Sequence, residues 1–293
     1  MTPARFVGEP RRVDRVGTRA ITLLSIAAAA FVAARGLGLD LDGLIPRGAG
    51  LELAREMFGA ALHPAFDYQS DVVLPGTPPF LLKVLGGVLR TVLFAAAAMS
   101  LAVPAGLVLA LFASEAWWVR GRPDGAARIG PAARAIQVSV RFLIALLRSV
   151  HELLWAVLFL AALGLNPAAA VVAIALPFSG TLAKVGSEML DEADRDSWRA
   201  LWTAGASPSA ALVVGLLPRA TPDLIAYAFY RFECALRSAA VLGFFGYPTL
   251  GLYVSQSFEN LYLREVWTYL YALVAMVLVV EAWSAGMRRR LAP

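Results

Sequence analysis

Three closely spaced charged side chains lie in the second half of a mostly apolar stretch, and they are the residues best suited to handle a charged ligand. Arg231, Glu233 and Arg237 lie within a candidate membrane span over 209–243. A charge inside a span costs roughly 2.5–3.5 kcal/mol on insertion scales, so such residues usually face a bundle interior or water. Glu233 and Arg237 are spaced to pair on one helix face, which leaves Arg231 uncompensated. The arginines could attract an anion along a pore wall; the alternative is internal ion pairing that holds helices together.

Residues for metal binding, covalent catalysis or nucleotide binding are scarce. Cys234 is the only cysteine, which excludes an internal disulfide and a cysteine-based metal site. His151-Glu152 lacks the second histidine of a metalloprotease helix, because position 155 is Trp155. No Gly-x-x-x-x-Gly-Lys-Ser/Thr motif is present, so this chain has no P-loop for ATP. We expect no metal and no cofactor in this chain, and no catalytic residue.

The composition is that of a polytopic membrane protein. Hydrophobic residues make up 59% of the sequence and charged residues 16%, and the mean hydropathy is +0.67. A span needs roughly 20 apolar residues, and six candidates of about this length occur, at 20–38, 88–113, 149–164, 167–187, 209–243 and 264–286. The third is short and the fifth long, so we expect tilts or breaks there. The fold class predicted is an all-α membrane protein with about six transmembrane helices.

The basic residues predict the orientation of these helices. Arginines and lysines cluster before the first span, in the loops after the second and fourth, and after the sixth, and they account for the net charge of +5 without a nucleic-acid partner. Both termini are therefore predicted to be cytoplasmic, with 1–19 as a cytoplasmic lead. In this orientation a helix that starts near Pro218 carries Arg231 roughly 20 Å and Arg237 roughly 28 Å inward, into the outer half of the membrane.

A polar, helix-prone island at 194–218 interrupts the apolar half of the chain, on the predicted cytoplasmic side. Asp194 or Ser197 could cap a short helix that runs to about Ala204. Gly205 permits a sharp turn, and Ser207-Pro208 can start a new helix. A short helix held between two membrane helices could dock into a groove on a soluble partner.

Two further amphipathic segments are predicted. Arg134, Arg141 and Arg148 recur every seven residues and form one stripe on a helix over 132–148, which we interpret as an interfacial elbow with its arginines toward headgroups or cytosol. A ring of arginines that attracts substrate is the alternative. Residues 51–62 are predicted to form a short outside helix, which could touch a binding protein or pack at the interface.

The island resembles the cytoplasmic loop of ABC importer permeases. That loop has Glu-Ala-Ala, three residues, Gly, nine residues, Ile, one residue and Leu-Pro. Ala200, Gly205, Leu217 and Pro218 match this spacing, whereas Arg199 replaces the Glu and Gly215 the Ile. The resemblance implies a coupling helix that docks on an ATPase subunit, with contacts expected from a group of seven residues: Asp194, Trp198, Arg199, Ala200, Leu201, Gly205 and Ala206.

The fifth span resembles the phosphonate-type branch of these permeases. Tyr230-Arg231-Phe232-Glu233, then Arg237 and Val241-Leu242-Gly243 through Gly246 follow that branch's pattern. The resemblance covers about 84–290 and implies a MetI-like type I ABC importer permease core. It makes Arg231, Glu233, Arg237, Gly243 and Gly246 the expected translocation path or gate. The loop after Gly246 is expected near an outer gate.

The same resemblance implies how the protein works. A homodimer in the cell inner membrane would bind a dimer of ABC ATPases, which hold ATP and Mg, and receive solute from a binding protein outside. Phosphonate, phosphate or phosphite is the expected solute, with an amino acid or quaternary amine as the alternative. A polytopic lipid-modifying enzyme is a second alternative, although its clustered catalytic residues are not found. The expected domains are 1–19, then 20–80 with the first helix and an outside segment, then a permease core at 81–290 with the coupling loop at about 191–208.

Overall fold

The computed structural model describes residues 15–39, 48–118 and 130–291. All regular elements in these ranges are helical. They are α1 (Arg15–Gly36), α2 (Ala49–Ala61), α3 (Phe80–Ala113), α4 (Glu115–Trp118), α5 (Pro131–Ser149), α6 (Glu152–Leu163), α7 (Pro167–Glu192), α8 (Asp196–Thr203), α9 (Pro208–Ala211), α10 (Leu217–Val241), α11 (Leu250–Glu259) and α12 (Leu263–Leu291). A π-helical segment (Leu212–Leu216) joins α9 to α10, and a 3-10 turn (Leu242–Phe245) follows α10.

The chain forms two compact units, Met1–Phe58 and Gly59–Pro293. In the first unit, α1 has exposed apolar side chains along its length, which suits a helix in lipid. Residues 1–14 and 40–47 lie outside the described residues, and so does most of the predicted cytoplasmic lead. The helix predicted at 51–62 is confirmed as α2, whereas its location outside the membrane stays a prediction.

The core of the second unit forms where α3, α7 and α10 pack together. Small side chains line the buried faces, and alanines dominate them: Ala95, Ala98, Ala102, Ala170, Ala173, Ala235 and Ala239. Membrane helices gain no hydrophobic advantage from leaving lipid, so close van der Waals packing between small residues is what holds them. The residues described below lie on α7 and α10 and on the elements packed against these two helices.

The predicted spans are largely confirmed, with one correction. Within the described residues, five helices or helix runs are long and apolar enough to cross a membrane, namely α1, α3, α7, 209–245 and α12. The span predicted at 149–164 is instead the 12-residue helix α6, which meets α5 at a bend of 86°. At this bend the His151 side chain accepts a hydrogen bond from the Leu153 amide at 3.3 Å and starts a new helix. The bent pair brings the possible number of spans to six.

A short helix that the sequence did not predict, α11, folds back on the end of α10. Two glycines allow the contact: a Cβ on Gly243 would come within 2.0 Å of the Leu252 nitrogen, and one on Gly251 within 2.1 Å of the Ala240 oxygen. Thr249 Oγ1 donates to the same Ala240 oxygen at 3.0 Å. Backbone therefore packs directly on backbone here, where any side chain would separate the two helices.

Candidate functional site

The short helix of the polar island forms as predicted and is α8. The helix begins at Asp196 after Arg195, so neither Asp194 nor Ser197 is the N-cap residue that the sequence predicted. Asp194 lies just before the cap, and its Oδ1 accepts a hydrogen bond from the Asp196 amide at 3.1 Å. The end of α8 is the turn at Gly205, where φ is +89°, and the Ala206 amide donates back to the Leu201 oxygen at 3.0 Å. A positive φ favours glycine, so the conformation at this position explains the residue type.

One face of α8 is buried and the other is exposed. Trp198 is only 9% exposed and packs against Leu212 and Leu216 of the π-helical segment. On the opposite side Arg199 and Ala200 are exposed, and the Arg199 side chain keeps 62% of its surface in solvent. The seven predicted contact residues therefore divide into residues that hold α8 in place and residues that are free to meet a partner.

The π-helical segment approaches the backbone of α8 at Gly215. A Cβ there would lie 3.1 Å from the Trp198 nitrogen and 3.2 Å from the Ser197 carbonyl carbon. Gly215, which replaces the Ile of the permease pattern, therefore allows α8 to pack directly against the π-helical segment that leads into α10. The contact includes the backbone of α8.

An ion pair between Asp194 and Arg219 makes a second link from the α8 loop to α10. Both side chains are about half exposed, so the pair contributes at most about 1 kcal/mol to stability. The pair borders an open cavity of about 890 Å³ that is also lined by Asp223, Tyr227 and Arg288. The cavity reaches from the α8 loop to the middle of α10.

Asp191, at the end of α7, organises the region beside α8 and was missed by the sequence analysis. Its Oδ1 accepts hydrogen bonds from Ser114 Oγ at 2.7 Å, from the Glu115 amide at 2.8 Å and from the Ala116 amide at 3.1 Å. Arg141 of α5 approaches its other oxygen at 3.8 Å. One carboxylate thus joins α7 to α4 and α5, and because these partners are distant in sequence, no local motif signals it.

We predict that Asp191→Ala will destabilise the protein by about 2–4 kcal/mol. Two backbone amides at the start of α4 and the Ser114 hydroxyl lose a charged acceptor, and hydrogen bonds to charged groups contribute about 1.5–3 kcal/mol each before partial replacement by water. Thermal unfolding of the protein in lipid nanodiscs measures the effect.

The matched control is Glu188→Ala, one turn earlier on α7. Glu188 pairs with Lys184 at 2.5 Å, but its side chain is 51% exposed, so the loss is expected to be a few tenths of a kcal/mol. Equal shifts in the two variants would contradict the role given to Asp191.

The predicted pair between Glu233 and Arg237 is not formed. Glu233 lies 3.4 Å from Arg288 of α12 instead, and Arg237 donates to the Cys234 sulfur at 3.4 Å. Arg231 lies over the Phe178 ring at 4.7 Å, and its Nε is buried without a hydrogen-bond partner. Glu233 is therefore paired with α12 and not with Arg237. Among the described residues no ion pair is found for Arg231.

The depth predicted for these charges in the outer half of the membrane stays a prediction. Glu233 contacts Arg288, which belongs to the basic C-terminal end of α12. The first turns of α10, around Arg219 and Asp223, border the open cavity.

The two predicted gate glycines have structural roles in this fold. Gly243 is the contact between the 3-10 turn and α11 described above. Gly246 has φ of +91° and ends the 3-10 turn. Whether either residue also lines a path stays a prediction.

The elbow helix α5 is confirmed, but its arginines do not all face headgroups or cytosol. Arg141 Nε donates to the Ala113 oxygen at 3.0 Å, so it points into the protein. Arg148 and Arg141 border a smaller cavity of about 370 Å³ between α5 and α7. Arg134 is exposed and donates a hydrogen bond to Gln137 on its own helix at 3.5 Å. The loop before α5, with Arg120, Arg122 and Arg128, lies outside the described residues.

The part of the chain that the structure describes contains no group of three or more His, Cys, Asp or Glu arranged for a metal ion. Some charged pairs join different elements, such as Asp194 with Arg219 and Glu233 with Arg288, whereas Lys184 and Glu188 pair within one helix.

Residues 127–293 match the family described as binding-protein-dependent transport system inner membrane component. This is more than half of the chain, and the chain belongs to this family. Its all-helical fold is that of the MetI-type permeases of ABC transporters: a chain of the MetNI methionine ABC transporter, solved in inward-facing conformations, superposes with a TM-score of 0.62 at 19% identity, covering 74% of this chain and 100% of that one.

Two transport permeases are similar in sequence to part of this chain. The phosphite transport system permease protein PtxC of Stutzerimonas stutzeri is 33% identical over 149 residues, which are 51% of this chain and 54% of that protein. The phosphate-import permease protein PhnE of Mycolicibacterium smegmatis is 30% identical over 157 residues, which are 54% of this chain and 30% of that protein. The chain thus matches about half the length of the first relative and about a third of the second.

Proposed function

We propose that this chain is the transmembrane permease subunit of an ATP-driven importer for phosphonate or a related phosphorus oxyanion. The observation that carries the proposal is α8, a short helix with one face fixed to the bundle and Arg199 and Ala200 free on the other. An exposed helix with this anchoring is suited to dock on a soluble subunit. The sequence holds no P-loop of its own, so ATP and Mg would be bound by a separate ATPase dimer.

The proposed coupling runs from α8 to α10 through two contacts. The first is the close approach at Gly215, and the second is the ion pair between Asp194 and Arg219. When the ATPases close, α8 would move with them and would carry the start of α10 along. Since α10 also carries Arg231, such a movement would change access to the interior from one side of the membrane to the other.

The proposed partners follow from this mechanism. A second copy of the chain would complete the path, and a solute-binding protein outside would deliver the solute. Both termini would be cytoplasmic, as the basic C-terminal end of α12 favours. The protein would lie in the cell inner membrane.

A phosphorus oxyanion is favoured as the solute for two reasons. The relatives named above are described as phosphite and phosphate permeases, and Arg231 presents an unpaired cation in the bundle interior. An amino acid is the second candidate, because a methionine transporter shares the fold.

Uptake by the reconstituted transporter tests the proposal. Proteoliposomes with the permease, its ATPase and its binding protein should accumulate phosphite, phosphate or methylphosphonate when ATP is present on the ATPase side. Methionine and choline should not be accumulated. Uptake of methionine or choline with no uptake of the three oxyanions would contradict the proposed solute class, and absence of ATP dependence would contradict the proposed function.

A further inference from the structure

The smaller cavity, between α5 and α7, is lined mainly by charged side chains. Its volume is about 370 Å³, and it shares no lining residue with the cavity beside the α8 loop. Three cations, one hydroxyl and two carboxylates line it: Arg141 and Arg148 of α5, and Lys184, Ser187, Glu188 and Asp191 of α7. The lining therefore has one positive charge in excess, which suits an occupant with a single negative charge.

The two paired cations of this cavity keep donors free. Lys184 pairs with Glu188 at 2.5 Å, but an ammonium group carries three N–H donors. Arg141 Nε donates to the Ala113 oxygen at 3.0 Å. Its Nη2 lies 3.7 and 3.8 Å from two carboxylate oxygens, which is too far for hydrogen bonds. Each of these cations can therefore donate to an occupant and keep its present contacts.

Arg148 is the cation that carries the excess charge. Its side chain is exposed, and among the described residues no ion pair and no hydrogen bond is found for its guanidinium group. Its aliphatic stem packs on the bare backbone of Gly180, where a Cβ would come within 3.1 Å of the Arg148 Cγ. The stem is thus fixed on α7, and the five N–H donors of the guanidinium group are free at the cavity.

An apolar stripe of α5 lies next to the stripe of Arg141 and Arg148. It consists of Val138, Phe142 and Leu146, which recur every four residues and so share one side of the helix. All three side chains are exposed, Phe142 to 70%. A helix with adjacent cationic and exposed apolar sides is suited to the boundary between lipid headgroups and acyl chains. The occupant of the cavity should therefore combine a negative charge with apolar chains.

We propose that the cavity between α5 and α7 binds the headgroup of an anionic phospholipid of the phosphatidylglycerol class. A phosphodiester carries one negative charge, which equals the excess charge of the lining. Its oxygens accept charge-assisted hydrogen bonds from Arg148, Lys184 and Arg141, and the acyl chains lie along the apolar stripe of α5. Basic pockets between membrane helices are typical sites for anionic headgroups. The inference does not depend on which solute is transported.

Thermal unfolding of the assembled transporter tests this lipid site. The complex of permease and ATPase is placed in phosphatidylcholine nanodiscs with increasing fractions of phosphatidylglycerol that has the same acyl chains. Native protein is compared with Arg148→Gln, Lys184→Gln and Arg148→Lys. The matched control is Arg134→Gln, because Arg134 is also an exposed arginine of α5 but does not line the cavity.

Phosphatidylglycerol is expected to raise the unfolding temperature of the native complex and of Arg134→Gln by a few degrees, in a saturable way. In Arg148→Gln and Lys184→Gln the apparent affinity for the lipid should fall roughly tenfold, because a charge-assisted hydrogen bond is lost, and most of the rise should disappear. Arg148→Lys keeps the charge and should keep part of the rise. An equal rise in all five proteins, no rise in the native complex, or a loss in Arg134→Gln equal to that in Arg148→Gln would overturn the site.

A second arm distinguishes a lipid headgroup from a free anion. Sodium phosphate is titrated into the same five proteins in nanodiscs of phosphatidylcholine alone. Phosphate bound to the ATPase contributes equally to all of them. A rise with phosphate that Arg148→Gln removes would assign the cavity to a free anion and overturn the lipid assignment, whereas a rise that requires phosphatidylglycerol supports it.

Discussion

Gly251→Ala is expected to prevent assembly of a stable permease. The added Cβ would lie 2.1 Å from the Ala240 oxygen and 3.6 Å from the Gly243 Cα, so α11 would have to move away from α10. The contact is between backbones, and no flexible side chain can yield. We expect a loss of roughly 3 kcal/mol, the upper part of the range for overpacked sites. The amount of monodisperse protein after extraction and its unfolding temperature measure this loss.

Gly86→Ala is the matched control for this prediction. Gly86 lies inside α3, and a Cβ there meets nothing within 4 Å. Replacing a glycine inside a helix by alanine should stabilise the protein by about 0.5–1 kcal/mol. If Gly251→Ala yields as much folded protein as Gly86→Ala, the close packing of α11 on α10 is wrong.

Arg231→Gln is expected to lower oxyanion uptake roughly tenfold or more without destabilising the transporter. The lost charge-assisted hydrogen bonds to a solute would contribute about 1.5–3 kcal/mol, and about 1.4 kcal/mol corresponds to a factor of ten. The fold loses only the stacking on Phe178, about 0.5–2 kcal/mol. It is also relieved of a cation that costs roughly 2.5–3.5 kcal/mol in a membrane.

Uptake is expected to fall while stability is retained, and this combination distinguishes a functional arginine from a structural one. Uptake rates and unfolding temperatures of the same preparations are compared with those of Arg134→Gln, which should retain both. A marked drop in unfolding temperature for Arg231→Gln, with uptake reduced only in proportion to the folded fraction, would assign Arg231 a purely structural role.

Structural features that depend on residues close together in the chain could be predicted from the sequence. The turn at Asp194 before α8 and the turn at Gly205 after it depend on hydrogen bonds within a few residues. The elbow helix and α2 follow from the spacing of charged and apolar residues. In each case the physical cause acts within about one or two turns, so a single sequence contains it.

Features that depend on distant partners could not be predicted. Asp191 accepts hydrogen bonds from α4 amides that are 75 or more residues away in sequence. Glu233 contacts Arg288, 55 residues away, and not Arg237 on its own helix. The inward direction of Arg141 depends on the Ala113 oxygen. Spacing along one helix shows which residues could pair, whereas the packing of other helices decides which of them do.

The packing of α8 combines a feature that depends on neighbouring residues with one that depends on a distant partner. The Gly205 turn is local, but Gly215 is explained only by the backbone of α8 lying against it. From the sequence alone, Gly215 was a departure from the permease pattern. In the structure it is the residue that permits the direct contact on which the proposed coupling depends.

Cysteine crosslinking of α8 tests the central claim most directly. Cys234 is replaced by Ser, so that Arg199→Cys, on the exposed face of α8, provides the single thiol in the chain. The account predicts an adduct with the ATPase subunit in the assembled transporter, and labelling by a membrane-impermeant maleimide only from the cytoplasmic side when the ATPase is absent. Labelling from the outside of intact cells, or no adduct in a complex that still couples ATP hydrolysis to uptake, would contradict it.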